Sequence, residues 1–295
     1  MSAIHQSYNN IEIILVDNDS QDNTLSLLQE YKYKYPKITA VVQETNQGAP
    51  AARNKGLSLA SGDWIQFLDA DDFIHPLKIE KQLKLVKSST DIVGGAWEHK
   101  LLDGKIEKNL IDPTIHPFLL LFKGGGAIGN TCSNLFKKEA IEKIGGWNER
   151  MTSSQEAELM FRLFLDGASI EISPLILTTV YKRVSGQISQ ENSVGYAEYI
   201  LNFRYKMLKI LKQQHPDFVK QNQHYFDNEI YKYIRLLTTL DYQKGIQEYK
   251  KYFNQQHFVP DGNHRGNPRW NEWAVRLMGF QRTEKLKAYY KNLFR

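Results

Sequence analysis

NQGAPAARNKGLSLASGDWIQFLDADD, residues 46–72, is the stretch on which the fold turns. Residues 50–60 carry a helical pattern closed by the Ser61-Gly62 pair, and residues 64–68 are a short apolar run. Three carboxylates follow at once: Asp69, Asp71 and Asp72. Upstream the grammar repeats. Residues 11–16 (IEIILV) read as a buried strand, residues 23–35 as a helix stopped by Pro36, and residues 38–42 as a second strand. Downstream, His75-Pro76 opens a further helix through residue 86. This β-α-β-α-β-α order predicts an α/β fold with a mostly parallel, Rossmann-like sheet flanked by helices. In such sheets ligands sit beyond the carboxyl ends of the strands, where Asp17 and the group Asp69, Asp71, Asp72 fall.

The rest of the chain bounds the reading. Residues 90–190 mix strands with helices at 139–144 and 155–165, and beyond residue 194 the pattern turns helical and rich in Tyr, Phe and Lys. The expected division is an α/β domain over residues 1–190 and a helical extension over 191–295. Cys132 is the only cysteine, which excludes an intrachain disulfide and a thiolate zinc cluster. No apolar run approaches the roughly 20 residues that span a bilayer, and MSAIHQ lacks the basic and apolar regions of a signal peptide. A cytoplasmic location is the expectation. The net charge of +5 is spread along the chain and does not choose among anionic partners.

Three groups of residues carry candidate chemistry. Carboxylates as close as Asp69, Asp71 and Asp72 raise one another's pKa unless a cation shares them. In an extended segment Asp69 and Asp71 point the same way and can face one ion, for which hard oxygen ligands suit magnesium or manganese. A solvated turn explains the same residues without a metal. Asp17 and Asn18 end the neighbouring strand, where a carboxylate can accept from a base's ring N–H or a ribose hydroxyl; a helix cap is the alternative. Gly48 and Arg53 stand at the start of the next helix, a place that suits an anion, and no Gly-Lys-Ser/Thr phosphate loop is present. Glu156 opens the helix at 155–165 on the face of Leu159, Met160 and Leu163, pointing into a cleft or stabilising the helix dipole. Glu158 and Arg162 form an i,i+4 pair expected on the solvent side, so Glu158→Gln should do little.

Taken together, NIEIILVDNDSQDNT, the stretch at 46–72, and LFKKEAIEKIGGWNERMTSSQEAELMFRL resemble a bacterial family 2 glycosyltransferase of the GT-A fold, over about residues 1–190. The resemblance rests most on Asn46, Gly48, Arg53, Asn54, Gly56, Gly62 and the Asp69-x-Asp71-Asp72 run. It implies that Asp17 and Asn18 bind the base and ribose, and that Asn46, Gly48, Arg53 and Asp69 contact the donor. It further implies that Asp69 and Asp71 hold a manganese or magnesium ion and that Glu156 is the catalytic base. The implied reaction is an inverting, in-line transfer of a sugar from a nucleotide diphosphate to an acceptor hydroxyl, on a cell-surface glycan or a lipid-linked saccharide. The chain departs from the family in three ways: Gln155-Glu156 replaces the usual Glu-Asp, YKRVSGQIS at 181–189 lacks the usual His, and the family's opening strand is missing. The chain starts inside the following helix, so the reading frame is expected to begin too late or the chain to be a damaged copy. Residues 11–16 and 64–68 must then close on each other, borrow a strand, or fold poorly.

Two rivals stay open. A sugar-phosphate nucleotidyltransferase shares a similar core, and a truncated, weak or inactive nucleotide-sugar-binding pseudoenzyme fits the departures. The Tyr/Lys interleaving at 225–235 fits packed amphipathic helices better than nucleic-acid stacking, so no nucleic-acid partner is expected. Residues 265–295 hold eight basic residues against two acidic, with Trp270, Trp273, Leu277 and Phe280 interspersed. That composition suits a helix lying on the inner face of the plasma membrane, or packing helices with a solvated face.

Overall fold

In a computed structural model the chain is described over residues 1–124, 126–182, 193–254, 257–262 and 267–293. It divides into two compact units, Met1–Ser189 and Gln190–Arg295.

The first unit is α/β. It begins with β1 (Ile13–Asp17), α1 (Thr24–Lys34), β2 (Ile38–Gln43), α2 (Ala49–Leu59) and β3 (Trp64–Ile65). β4 (Phe73–Ile74), α3 (Lys78–Leu83), β5 (Ile92–Lys100), β6 (Ile106–Asn109) and α4 (Pro117–Lys123) follow. β7 (Leu135–Lys137), α5 (Lys138–Lys143), α6 (Gln155–Leu165) and β8 (Ile170–Tyr181) complete it. β1 and β2 form a parallel pair by themselves. The other strands form a second sheet in the order β3-β7-β5-β8-β4, with β6 on the free edge of β5.

The two longest ladders, β1–β2 and β5–β8, are parallel as expected, and the shorter pairs β3–β7, β4–β8, β5–β6 and β5–β7 add antiparallel strands. The alternating pattern at the start of the chain speaks only for neighbours in sequence, and β7 inserts reversed between β3 and β5 from a distant segment. The strand expected at 64–68 ends at Ile65, because the chain turns away before its carboxylates. β1 and β3 do not close on each other; the first belongs to the two-stranded sheet and the second lies at the end of the larger one. The Glu12 carboxylate ties their beginnings together, accepting from Ser61 N (2.6 Å), Ser61 Oγ (2.9 Å) and Gly62 N (2.9 Å).

β5 is the spine of the second sheet. Ile92, Val93, Gly94, Gly95 and Ala96 are all buried: β8 runs along one edge, and β7 covers the other at Ile92 and Val93. Val93 packs with Ile79 and Leu135, and Tyr8, Trp64 and Leu83 close over them. Gly95 is required by close approach: a Cβ there would overlap the carbonyl of Ser133.

The second unit is helical, with α7 (Val194–Gln214), α8 (Pro216–Gln221), α9 (Gln223–Leu240), α10 (Tyr242–Tyr252) and α11 (Arg269–Leu293). Local signals set its breaks. Ser193 Oγ caps α7, Pro216 ends it, and Asp241 Oδ1 caps α10 by accepting from Lys244 N (3.0 Å). Its core is aromatic: Tyr231 sits 5.4 Å from the Phe280 ring, which stacks on Tyr249 at 4.1 Å. Phe226 and Tyr231 are thus packing residues, as amphipathic helices require. No helix among the described residues is long and apolar enough to cross a membrane.

Candidate active site

The site is assembled at the carboxyl end of β1, in the turn after β3, and at the amino end of α6. Its centre is Arg53 on α2. One guanidinium nitrogen donates to Asp69 Oδ1 at 2.9 Å and another to Gln155 Oε1 at 3.1 Å, while the plane stacks 4.6 Å from the Trp147 ring. A planar fork is suited to such a double contact. A single side chain thereby ties α2, the acidic turn, the loop before α6 and α6 itself.

The acidic turn differs from the extended segment expected. Asp72 N donates to Asp69 O at 3.1 Å, so the chain reverses and brings residues i and i+3 together in place of i and i+2. Carboxylate oxygens of Asp69 and Asp72 and the Cys132 sulfur lie within 4.8 Å of one another, a spacing that fits one cation. Asp71 stands outside that group. Burial first, with the nearby Asp71 and Asp69 charges, raises the Asp72 carboxyl to about 6 against the hydrogen bonds of Cys132 and the Tyr181 backbone. Like charges pressed together out of water are what a divalent ion relieves, so the residues present fit a metal. Cys132 gave no signal in the sequence. It is buried, and its sulfur accepts from Asp69 N at 3.2 Å.

Glu156 lies at the other side of Arg53. Its carboxylate accepts from Asn134 Nδ2 at 2.9 Å. Burial pushes it up to about 8; the Arg53 charge and the Thr131 and Asn134 hydrogen bonds oppose that rise, and the Asp69 charge adds to it. Asn134 is a residue that pattern reading missed. Its own oxygen accepts from Gly95 N at 3.1 Å, so the central strand aims it. The loop beneath is pinned by Gln66 and Gln82, which donate to the Cys132 and Ser133 carbonyls at 2.8 Å each. Both glutamines accept from the buried Lys78 ammonium, whose pKa burial lowers to about 7.

The residues expected to touch a donor fall into two sets. Asp17 is 2% exposed; its Oδ2 accepts from Gln43 at 3.1 Å, and its Oδ1 meets no donor. A buried carboxylate oxygen without a partner is costly, and a ring N–H would satisfy it. Asn18, Asn46 and Gly48 are instead engaged with one another's loops. Asn18 Nδ2 donates to Glu44 O (3.0 Å) and Asn46 O (2.8 Å), and its Oδ1 accepts from Gly48 N (2.7 Å). Asn46 Nδ2 donates to Glu149 at 2.7 Å, and Asn54 donates to the same carboxylate at 2.8 Å. These side chains fix the walls. The Gly48 N–H donates to Asn18 Oδ1, and Arg53, in the same helix, is the cation nearest this helix start.

Glu158 requires a correction. It is buried, and it accepts from Arg162 Nε (2.9 Å), Arg162 Nη2 (2.8 Å) and Asn148 Nδ2 (3.2 Å). Arg162 in turn donates to the carbonyls of Ile144 and Gly146, both at 2.8 Å, which orders the turn carrying Trp147 and Glu149. The i,i+4 spacing was legible, but which side of α6 met the chain at 144–148 was not. Glu158→Gln is therefore expected to destabilise the fold by about 1–3 kcal/mol, the range for a charged hydrogen bond lost from a buried site. Chemical denaturation would measure it, and an unchanged midpoint and slope would refute the structural role. The expectation about residues 181–189 concerns a stretch that, beyond Lys182, lies outside the described residues.

Residues 1–145 match the family described as Glycosyl transferase family 2. Among curated relatives, the minor teichoic acid biosynthesis protein GgaB of Bacillus subtilis is 31% identical over 172 residues, covering 54% of this chain and 18% of that protein. The chain spans less than half the length of the first curated relatives it matches, at 34%, 18% and 42%. Two solved structures share the fold. TarS 1–349 of S. aureus in complex with UDP-GlcNAc superposes with a TM-score of 0.57 at 17% identity, over 90% of this chain and 92% of that one. The mannosyltransferase PcManGT of Pyrobaculum calidifontis, in complex with GDP-Man and Mn2+, gives 0.53 at 14% identity, over 98% and 81%. The architecture is the GT-A fold with a helical C-terminal extension.

Proposed function

We propose, from the premise that this chain belongs to glycosyl transferase family 2 over residues 1–145, that it moves one sugar from a nucleotide-diphosphate donor to an acceptor hydroxyl with inversion. The observation that carries this reading is the convergence of Asp69, Arg53, Asn134 and Glu156 from four separate segments. Glu156 is the base. Raised to about 8, the Glu156 carboxyl is a strong base in its ionised form, and that form, which grows as pH approaches 8, takes the hydroxyl proton as the oxygen attacks the anomeric carbon. Asn134 holds that carboxylate through Oε1. Arg53 fixes the separation between the base helix and Asp69, so donor and acceptor meet in line. Asp17 accepts from the base of the nucleotide through its unpartnered oxygen. Asn18, Asn46 and Gly48 act by holding the surrounding loops.

Asp69, with Asp72 or with Asp71, would hold a manganese or magnesium ion through carboxylate oxygens, the neutral Cys132 thiol lying beside them, and the ion when bound neutralises charge on the departing nucleoside diphosphate. The Mn2+ and GDP-Man in PcManGT and the UDP-GlcNAc in TarS support the donor class and the ion. The name of GgaB, a minor teichoic acid biosynthesis protein, supports a cell-surface glycan or its precursor as acceptor; the enzyme would then act in the cytoplasm at the inner face of the plasma membrane. Incubation with UDP- and GDP-sugars and manganese tests the reading. Free nucleoside diphosphate should appear with one donor class and increase with acceptor. Donor binding without any release would instead identify a binding protein that lacks turnover.

A further inference from the structure

α11 is two helical segments joined at Gly279, whose φ of 78° interrupts the helix. The segments fold back on each other: the Lys287 ammonium bonds Asn271 and Glu284 and lies 5.1 Å over the Trp270 ring. Inward, Val275, Phe280 and Thr283 are buried. Outward, the first segment presents Trp270, Trp273 and Leu277 at i, i+3 and i+7, with exposures of 55%, 64% and 77%. The second presents Arg282, Lys285, Leu286 and Tyr289 at i, i+3, i+4 and i+7, all exposed. Two tryptophans and a leucine on one turn-spaced face in water are unfavourable, and the hydrophobic core explains none of them. Arg282 and Lys285 form no ion pair with a carboxylate among the described residues.

We infer that this outward face of α11 seats the protein on an anionic lipid surface. Aromatic rings with one polar edge settle at the headgroup level, and leucine enters the acyl boundary beneath them. Cations beside them meet lipid phosphates, and the long side chains of Arg282 and Lys285 reach the headgroups while their stems stay apolar. Charge decides for lipid over a second copy of this chain, whose corresponding face would bring like charges together. The inference gives the membrane contact proposed above a defined surface. It stands apart from the transfer reaction, since binding is read without donor or acceptor.

The test is sedimentation of the full chain with vesicles of phosphatidylcholine alone and with phosphatidylglycerol added, followed also by tryptophan emission. Wild type should bind the anionic vesicles roughly tenfold tighter or more, with a blue shift and with loss of binding at high salt. Trp273→Ala with Leu277→Ala should weaken that binding by roughly tenfold or more. Arg282→Gln with Lys285→Gln should remove most of the preference for anionic lipid. All four side chains are exposed, so melting temperature and donor hydrolysis in vesicle-free buffer should not move. Equal, weak binding of wild type to both vesicle types would overturn the inference without touching the assignment of the reaction. So would unchanged lipid binding by the Trp273/Leu277 variant, or wild-type dimers that the same variant converts to monomers.

Discussion

Glu156→Gln is expected to cut turnover by a factor on the order of 10² to 10⁴, the range for a lost general base, while leaving nucleotide affinity close to wild type. The substitution keeps the shape and the hydrogen bond from Asn134 but cannot take a proton. Wild-type turnover should rise with pH as the Glu156 carboxyl loses its proton, reaching half its plateau near about 8 and levelling above it. The variant should lack that limb. Stability carries a second signature of opposite direction. The folded protein holds the Glu156 proton more tightly than the unfolded chain, whose value is near 4.5. The group's contribution to stability is therefore full below that value and is lost as pH rises towards about 8. Glu156→Gln should flatten this part of the melting profile. Near-normal turnover in the variant would move the base elsewhere. A lost rate limb with an unaltered melting profile would mean that Glu156 is not buried as described.

Asp69→Asn should remove the manganese-dependent part of UDP affinity, by a factor of roughly 10 to 100 or more. Losing a ligand costs at least what losing a ligand's hydrogen-bond partner does, and the latter is in that range. Asp69 is the right position because both arrangements of the acidic turn include it: with Asp71 in the extended reading, and with Asp72 and Cys132 in the folded turn. The parallel variants Asp71→Asn and Asp72→Asn then separate the two. Loss of the metal increment in Asp72→Asn alone would place the ion on the i,i+3 pair. Calorimetric titration of UDP with and without manganese measures all three, and equal affinity in both conditions for wild type would end the metal assignment.

The amino-acid sequence by itself determined the character of the elements. Runs such as IEIILV, punctuated by Pro36 and by Ser61-Gly62, specify strand or helix through local sterics and period, and the first of them ends on Asp17, whereas only the opening of WIQFL is strand. It also singled out Asp17, Arg53, Asp69 and Glu156, because charged side chains at the mouths of apolar elements need a reason to be there. Tertiary structure decided the rest, since pairing and burial depend on segments far apart in the chain. β7 inserts reversed beside β3, and no local pattern records direction. The acidic run closes into a turn because Asp72 bonds back to Asp69, which selects Asp72 over Asp71 as its neighbour. Cys132, Asn134 and Lys78 have no motif of their own; they matter because the loop at 130–134 crosses under the acidic turn with Gly95 making room. Glu158 shows the same limit from the other side. Its spacing to Arg162 is a property of any helix, but only the chain folding over it at 144–148 turned a surface ion pair into a buried brace.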